Sequence, residues 1–113
     1  MFEPIPAGRL RHRVDIHVRD AAQDSHGQEL TTWNSFLTHV AAEVTPLAGR
    51  ELAAAQAIHG ETTHAVVIRF RAGITPAHRV VYQGRVFNVL GLIDMGMRHR
   101  YLSLLCSEGL NQG

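Results

Sequence analysis

Histidine is the first place to look for chemistry in this chain, which carries eight histidines in 113 residues beside a single cysteine. Imidazoles hold a metal only when several converge, and local convergence needs a spacing of two on a strand or four on a helix. No pair has that spacing; His12 and His17 stand five apart and fall on opposite faces of one strand. The lone thiol, Cys106, lies in the apolar run Tyr101-Leu-Ser-Leu-Leu-Cys106 and reads as a small buried hydrophobe, so neither an internal disulfide nor a cysteine zinc cage is available. Carboxylates for acid–base work would have to come from the scattered Asp15, Glu43, Glu51, Glu61 and Asp94. A G-x-S-x-G nucleophile turn is absent, and Gly49, Gly60, Gly73, Gly84, Gly91 and Gly96 are singletons that cannot form a phosphate-cradling loop. No catalytic seat, metal or cofactor is expected.

The basic residues are the remaining candidates. All eleven cations are arginine, yet the formal net charge is only +1, too small for a dedicated nucleic-acid binder. Arg69 and Arg71 alternate on one strand and, with Arg79 and Arg85 on neighbouring segments, are expected to gather on one face. That face would either meet phosphate or be the solvated side of a sheet or the polar rim of a subunit contact. Trp33, in the polar stretch Thr31-Thr32-Trp33-Asn34-Ser35, reads equally as an interface anchor or a core residue.

The elements that position these residues follow from periodicity. In residues 64–70, His64, Val66, Ile68 and Phe70 share one face and Arg69 the other, the period of two of a half-buried strand. The run from Ala72 to Pro76 breaks it, residues 79–82 resume it, Gln83-Gly84 offers a tight reversal, and residues 85–93 form the next strand. Near the start, Leu10, Val14, Ile16 and Val18 alternate with arginines to give a first strand. Residues 20–27 have turn composition, and a second extended segment slips its period near Asn34-Ser35, where a bulge or break is expected before residues 37–44. Residues 48–59 form the one helix, alanine-rich and stopped by Gly60, and residues 100–106 the last strand.

A chain of 113 residues supplies one core, burying roughly 65% of the surface exposed by the unfolded chain. Apolar content of 45% with no run long enough to span a bilayer, and an N-terminus without an apolar h-region, predict a soluble intracellular product. The expected fold is mainly β, a small antiparallel barrel of about six strands with one side helix, because closure removes exposed edges. Residues 1–8 are expected as an extended arm, 9–106 as the barrel domain and 107–113 as a flexible tail.

A series of short motifs, in order, resembles the phage head-tail joining family, the head closure, stopper or head-tail adaptor proteins of long-tailed bacteriophages. Ala7-Gly8-Arg9-Leu10-Arg11-His12-Arg13-Val14 resembles the family opening, and Asp24-Ser25-His26-Gly27-Gln28 its first turn, followed by Trp33. Ala42-Glu43-Val44 with Pro46-Leu47-Ala48-Gly49-Arg50-Glu51 resembles the strand and helix start. Ile68-Arg69-Phe70-Arg71, Gly73-Ile74-Thr75-Pro76, Arg79-Val80 and Gly84-Arg85-Val86-Phe87 resemble the later hairpins. The resemblance covers residues 7–106. Ala48 departs from it, standing where relatives carry a helix-capping serine, so Thr45 or water must serve the helix start.

The resemblance implies a virion protein at the head–tail interface of a phage, prophage or gene transfer agent, assembled in the host cytoplasm. It implies a ring of about twelve copies in head-to-tail contact. Such a ring has a portal or adaptor on the head side, a tail terminator or tail tube protein on the tail side, and double-stranded DNA passing through without sequence-specific binding. On that reading Arg9, Arg11, Arg13, Trp33, Arg69 and Arg71 are candidate intersubunit or docking contacts. Two segments are candidates for a gating loop, residues 20–27 and 45–61; the second is preferred because Gly49 and Gly60 supply hinges around Arg50 and Glu51. The competing reading is a monomeric small-barrel nucleic-acid binder, which would need Phe70, Tyr82, Phe87 or Tyr101 exposed beside arginines.

Overall fold

Alternating apolar residues on six strands close one wall around a single core. The computed structural model describes residues 7–23 and 29–109. Its strands are β1 (His12–Gln23), β2 (Glu29–Pro46), β3 (His64–Arg69), β4 (His78–Tyr82), β5 (Arg85–Asp94) and β6 (Tyr101–Gly109), with one helix, α1 (Gly49–Ile58). All neighbours are antiparallel, and the order β1-β2-β3-β6-β5-β4 closes on itself because β4 pairs back onto β1. The inward positions, Val14 and Ile16, Val66 and Ile68, Val80, Phe87 and Val89, Leu102, Leu104 and Cys106, form the core, each large side chain contributing about 1.5–3 kcal/mol of burial. The expected parity holds on β3, where His64, Val66 and Ile68 are buried and Arg69 is exposed.

β2 is one continuous strand rather than two segments. Its register against β1 shifts twice, leaving Phe36 between the pairs Ile16↔Leu37 and His17↔Ser35, and Thr38 and His39 between Ile16↔Leu37 and Val14↔Val40. The expected bulge is therefore present, displaced by a residue and joined by a second. His39 adopts φ 53°, and its N–H donates to Asp15 Oδ1 at 3.0 Å. Past the last β1–β4 pair at Val18, β1 and β2 leave the barrel as a ribbon paired from Arg19↔Trp33 to Gln23↔Glu29. Strand pairing thus extends through residues expected to turn; the remainder of that turn, residues 24–28, lies outside the described residues.

The Gln83-Gly84 reversal has positive φ at both positions, 51° and 77°, as a tight hairpin turn requires. Leu10 does not face inward with Val14. It precedes β1 and packs outside the barrel with Val67, Ala41, Met95 and Tyr101, held there by a 3-10 turn (Ala7–Arg9) whose Arg9 makes a bidentate pair with Glu43 at 2.7 and 2.9 Å. β6 runs on to Gly109, pairing Ser107 with Asn88 and Gly109 with Val86, so the last strand is longer than expected; residues 1–6 and 110–113 lie outside the described residues.

Helix α1 lies against the β3-β6-β5 wall. Ala55 is its one buried residue, and the His59 ring just past its end rests on Gly91 of β5, where a Cβ would come within 2.5 Å of Nε2. No side chain caps its start at Ala48, so Thr45 does not replace the missing serine. Its end is closed by Thr62, whose hydroxyl donates to the His59 carbonyl at 2.7 Å and whose carbonyl accepts from Gln56 Nε2 at 2.9 Å.

Candidate functional site

The histidines close the ends of the barrel. At one end His12 packs on Tyr82, with ring centres 5.0 Å apart, and His64 packs edge-on to Phe87 at 4.9 Å. At the other, His78 meets Phe36 and His99 stacks on Phe70, each at 4.5 Å. His12 Nδ1 accepts the Val44 N–H at 3.0 Å, and His78 Nδ1 the Thr75 N–H at 3.0 Å. Among the described residues no three metal-ligating groups converge.

Three carboxylates are likewise absorbed by the fold. Glu43 binds Arg9, Asp15 holds His39, and Asp94 accepts the His99 N–H at 3.0 Å where that residue adopts φ 55°. Asp15 and Asp94 thus each secure a left-handed non-glycine residue. Glu51 and Glu61 are exposed, and among the described residues no ion pair engages them.

An ionic cluster stands at the His64 end. Arg85 grips Glu108 through two bonds of 2.8 and 2.9 Å, and Glu108 lies 3.9 Å from His64 Nε2. The Glu108 N–H donates to Thr63 Oγ1 at 2.9 Å, and that hydroxyl also meets His64 Nδ1 at 2.8 Å. Burial holds His64 below its ordinary range against the pull of Glu108, while the Arg85 hydrogen bonds hold Glu108 below the usual carboxylate range. Cys106 is fully buried, and burial pushes its thiol up to about 12, out of reach of thiolate chemistry at neutral pH.

The arginines do not gather on one face. β3 and β4 stand opposite each other in the closed order, so Arg69 and Arg71 are separated from Arg79, and Arg85 is held at one barrel end by Glu108. Arg69 and Arg71 border a cleft of about 220 Å³ along the edge of β2, beside Leu37, Thr38, His39 and Val40. Arg9 is committed to Glu43, and Arg11 Nε donates to the Gly8 carbonyl at 2.8 Å; Arg13 is exposed.

Trp33 is half-buried, with the Arg79 guanidinium carbon 4.2 Å above its ring centre. Burial lowers the pKa of Arg79. Arg79 and Trp33 form the element the sequence left undecided: the indole faces outward and is covered by a cation from a strand distant in sequence. Phe70, Tyr82 and Phe87 are occupied by histidines and Tyr101 packs against the outer cluster, so they do not form an open stacking platform. Of the gating candidates, Gly49 has φ 57° and Gly49, Arg50, Glu51 and Gly60 are all exposed; the segment is a docked helix rather than an open loop. Residues 20–27 are divided between the ribbon and the turn outside the described residues.

These features define a class: a closed six-stranded antiparallel barrel in which, among the described residues, His12, His64, His78 and His99 and four carboxylates serve the fold. The sequence profile of the phage head completion protein family matches residues 5–109, and the chain belongs to that family, a structural family of the phage particle. It is 31% identical over 107 residues to the head completion protein gp7 of Enterobacteria phage HK97, covering 90% of this chain and 95% of that one. The solution structure of protein SF1141 from Shigella flexneri 2a superposes with a TM-score of 0.76 at 29% identity, covering 96% of this chain and all of that one. A chain from the virion of a native gene transfer agent particle shares the fold, with a TM-score of 0.58 at 20% identity over 86% of this chain and 94% of that one.

Proposed function

We propose that this head completion protein works as one subunit of a ring that joins the DNA-filled head to the tail. The observation that carries this reading is the family match across residues 5–109, on a closed barrel whose outer surface keeps Arg13, Arg69 and Arg71 exposed. The ring has about twelve copies in heterologous contact, with a portal or adaptor protein above and a tail terminator or tail tube protein below. Double-stranded DNA passes through the channel without being read. A net charge of +1 per chain suits that task, because strong phosphate attraction multiplied around a ring would hold the DNA in place.

Arg13, Trp33, Arg69 and Arg71 are the proposed contact positions; Arg9 and Arg11 instead pin the segment before β1. The gate is assigned to the connection holding α1, hinged at Gly49 and Gly60, with Arg50 and Glu51 at its moving end. Its shallow attachment through Ala55 and His59 supports this assignment.

Particles made without the protein test the joining role by electron microscopy. Heads lacking tails are the expected result, whereas intact tailed particles would overturn it. Deleting residues 49–60 tests the gate: assembled heads should lose DNA, and undiminished DNA retention would remove that role.

A further inference from the structure

Helix α1 leaves an apolar groove of about 310 Å³ between itself and the outer face of the β3-β6-β5 wall. Leu47, Ala55, Ala65 and Leu105 border it, and Ile58 and Ile93 stand along it 73% and 47% exposed. Its border is apolar apart from Glu51 and Ser103. Large aliphatic side chains left in water beside an unfilled groove favour an apolar occupant.

The chain itself brings such an occupant to the edge of the groove. Leu10 packs on Val67 and Tyr101 outside the barrel. Val67 pairs in register with Ser103, and Ser103 with Ile93, so the Leu10 site and the groove are neighbouring parts of one outer face, about one strand spacing of 4.8 Å apart. The chain is fixed at this point. Arg9 grips Glu43, which stands opposite Val67 on β2, and Arg11 holds the Gly8 carbonyl. The residues that precede this anchor read Met1-Phe2-Glu3-Pro4-Ile5-Pro6. Six extended residues reach at most about 20 Å, more than the roughly 15 Å length of α1 with its ten residues. Pro4 and Pro6 favour extended chain and offer no N–H, which suits a segment lying along a face rather than one adding a strand to the sheet. Phe2 and Ile5 supply the apolar side chains that the groove calls for.

We propose that residues 1–6 occupy the groove beside α1 of their own copy, with Phe2 and Ile5 covering Ile58 and Ile93. The segment straps the helix to the barrel and adds to the shallow contact that Ala55 and the His59 ring provide. It extends the outer cluster around Leu10 across β6 to the helix, so that one apolar strip runs over the β3-β6-β5 face. The inference concerns a single copy and stands apart from the ring and gate readings.

Nuclear magnetic resonance of the purified full-length chain tests it. Nuclear Overhauser contacts from the Phe2 ring to the methyl groups of Ile58 and Ile93 are the expected result. Phe2→Ser combined with Ile5→Ser should abolish them and shift those isoleucine methyl signals, while the methyl signals of Leu104, fully buried inside the barrel, stay in place. The contact between Leu10 and Val67 reports in both proteins that the outer cluster is formed. Identical Ile58 and Ile93 signals in the double variant and the parent, with that contact present in both, would overturn the proposal. Mixing isotope-labelled with unlabelled chains identifies the owner of the strap: Phe2 contacts within one labelled chain support the proposal, and contacts that cross between labelled and unlabelled chains would show a segment exchanged between copies and overturn it.

Discussion

Asp94 and His64 show how single residues carry the fold at the barrel ends. Asp94 accepts the backbone N–H of His99 at φ 55°, a conformation that is costly without such support. Asp94→Ala should lower the urea midpoint by about 1 kcal/mol in free energy with an unchanged m-value, and Asp94→Asn, which keeps an acceptor oxygen, should lose much less. His64 predicts the pH dependence. Its pKa is lowered in the fold, chiefly by burial, so the folded state prefers the neutral ring. Its stabilising effect is full above its unfolded pKa of about 6.5 and is lost as pH falls toward the lower folded value. Glu108, also lowered, acts in the same direction in a more acidic window, below about pH 4.3. The melting temperature should therefore fall between about pH 7 and 5, and His64→Asn should flatten that slope; an unchanged slope would assign the dependence elsewhere. None of these roles was legible from spacing. The histidine partners Phe36, Phe70, Tyr82 and Phe87 reach them from distant segments, and only closure of the sheet brings them together.

At the scale of elements, strand parity and turn chemistry were readable because both are local. Gln83-Gly84 and the alternation of residues 64–69 carried over directly into β3 and the β4–β5 hairpin. β2 was read as two segments because Phe36 and the Thr38-His39 pair each add residues outside the alternation. The helix was readable from its alanines and Gly60, but its docking was not, since that depends on buried Ala55 and on the His59 ring against Gly91 of a distant strand. Gly91→Ala places a methyl against the His59 ring, and the displacement should cost about 1 kcal/mol, lowering the melting temperature by about 4–8 °C. In a His59→Ala background the same change should cost almost nothing. Equal costs in both backgrounds would show that Gly91 is needed for a reason other than the ring.

Over the whole molecule, the antiparallel barrel and its side helix followed from element count and the need to hide edges, and the ordered motifs pointed to the family that the match over residues 5–109 establishes. The placement of the arginines did not follow. Arg69 and Arg79 lie ten residues apart in sequence yet on opposite walls, because the β4 hairpin returns to β1 rather than to β3. That long-range choice sets Arg79 over Trp33 and leaves Arg69 and Arg71 beside the edge of β2. Asymmetric reconstruction of the head–tail junction in intact particles tests the central claim most directly. The account predicts several copies of this barrel in a closed ring around the channel, between head and tail. Density showing the barrel absent from that junction, or present there as one isolated copy, would contradict it.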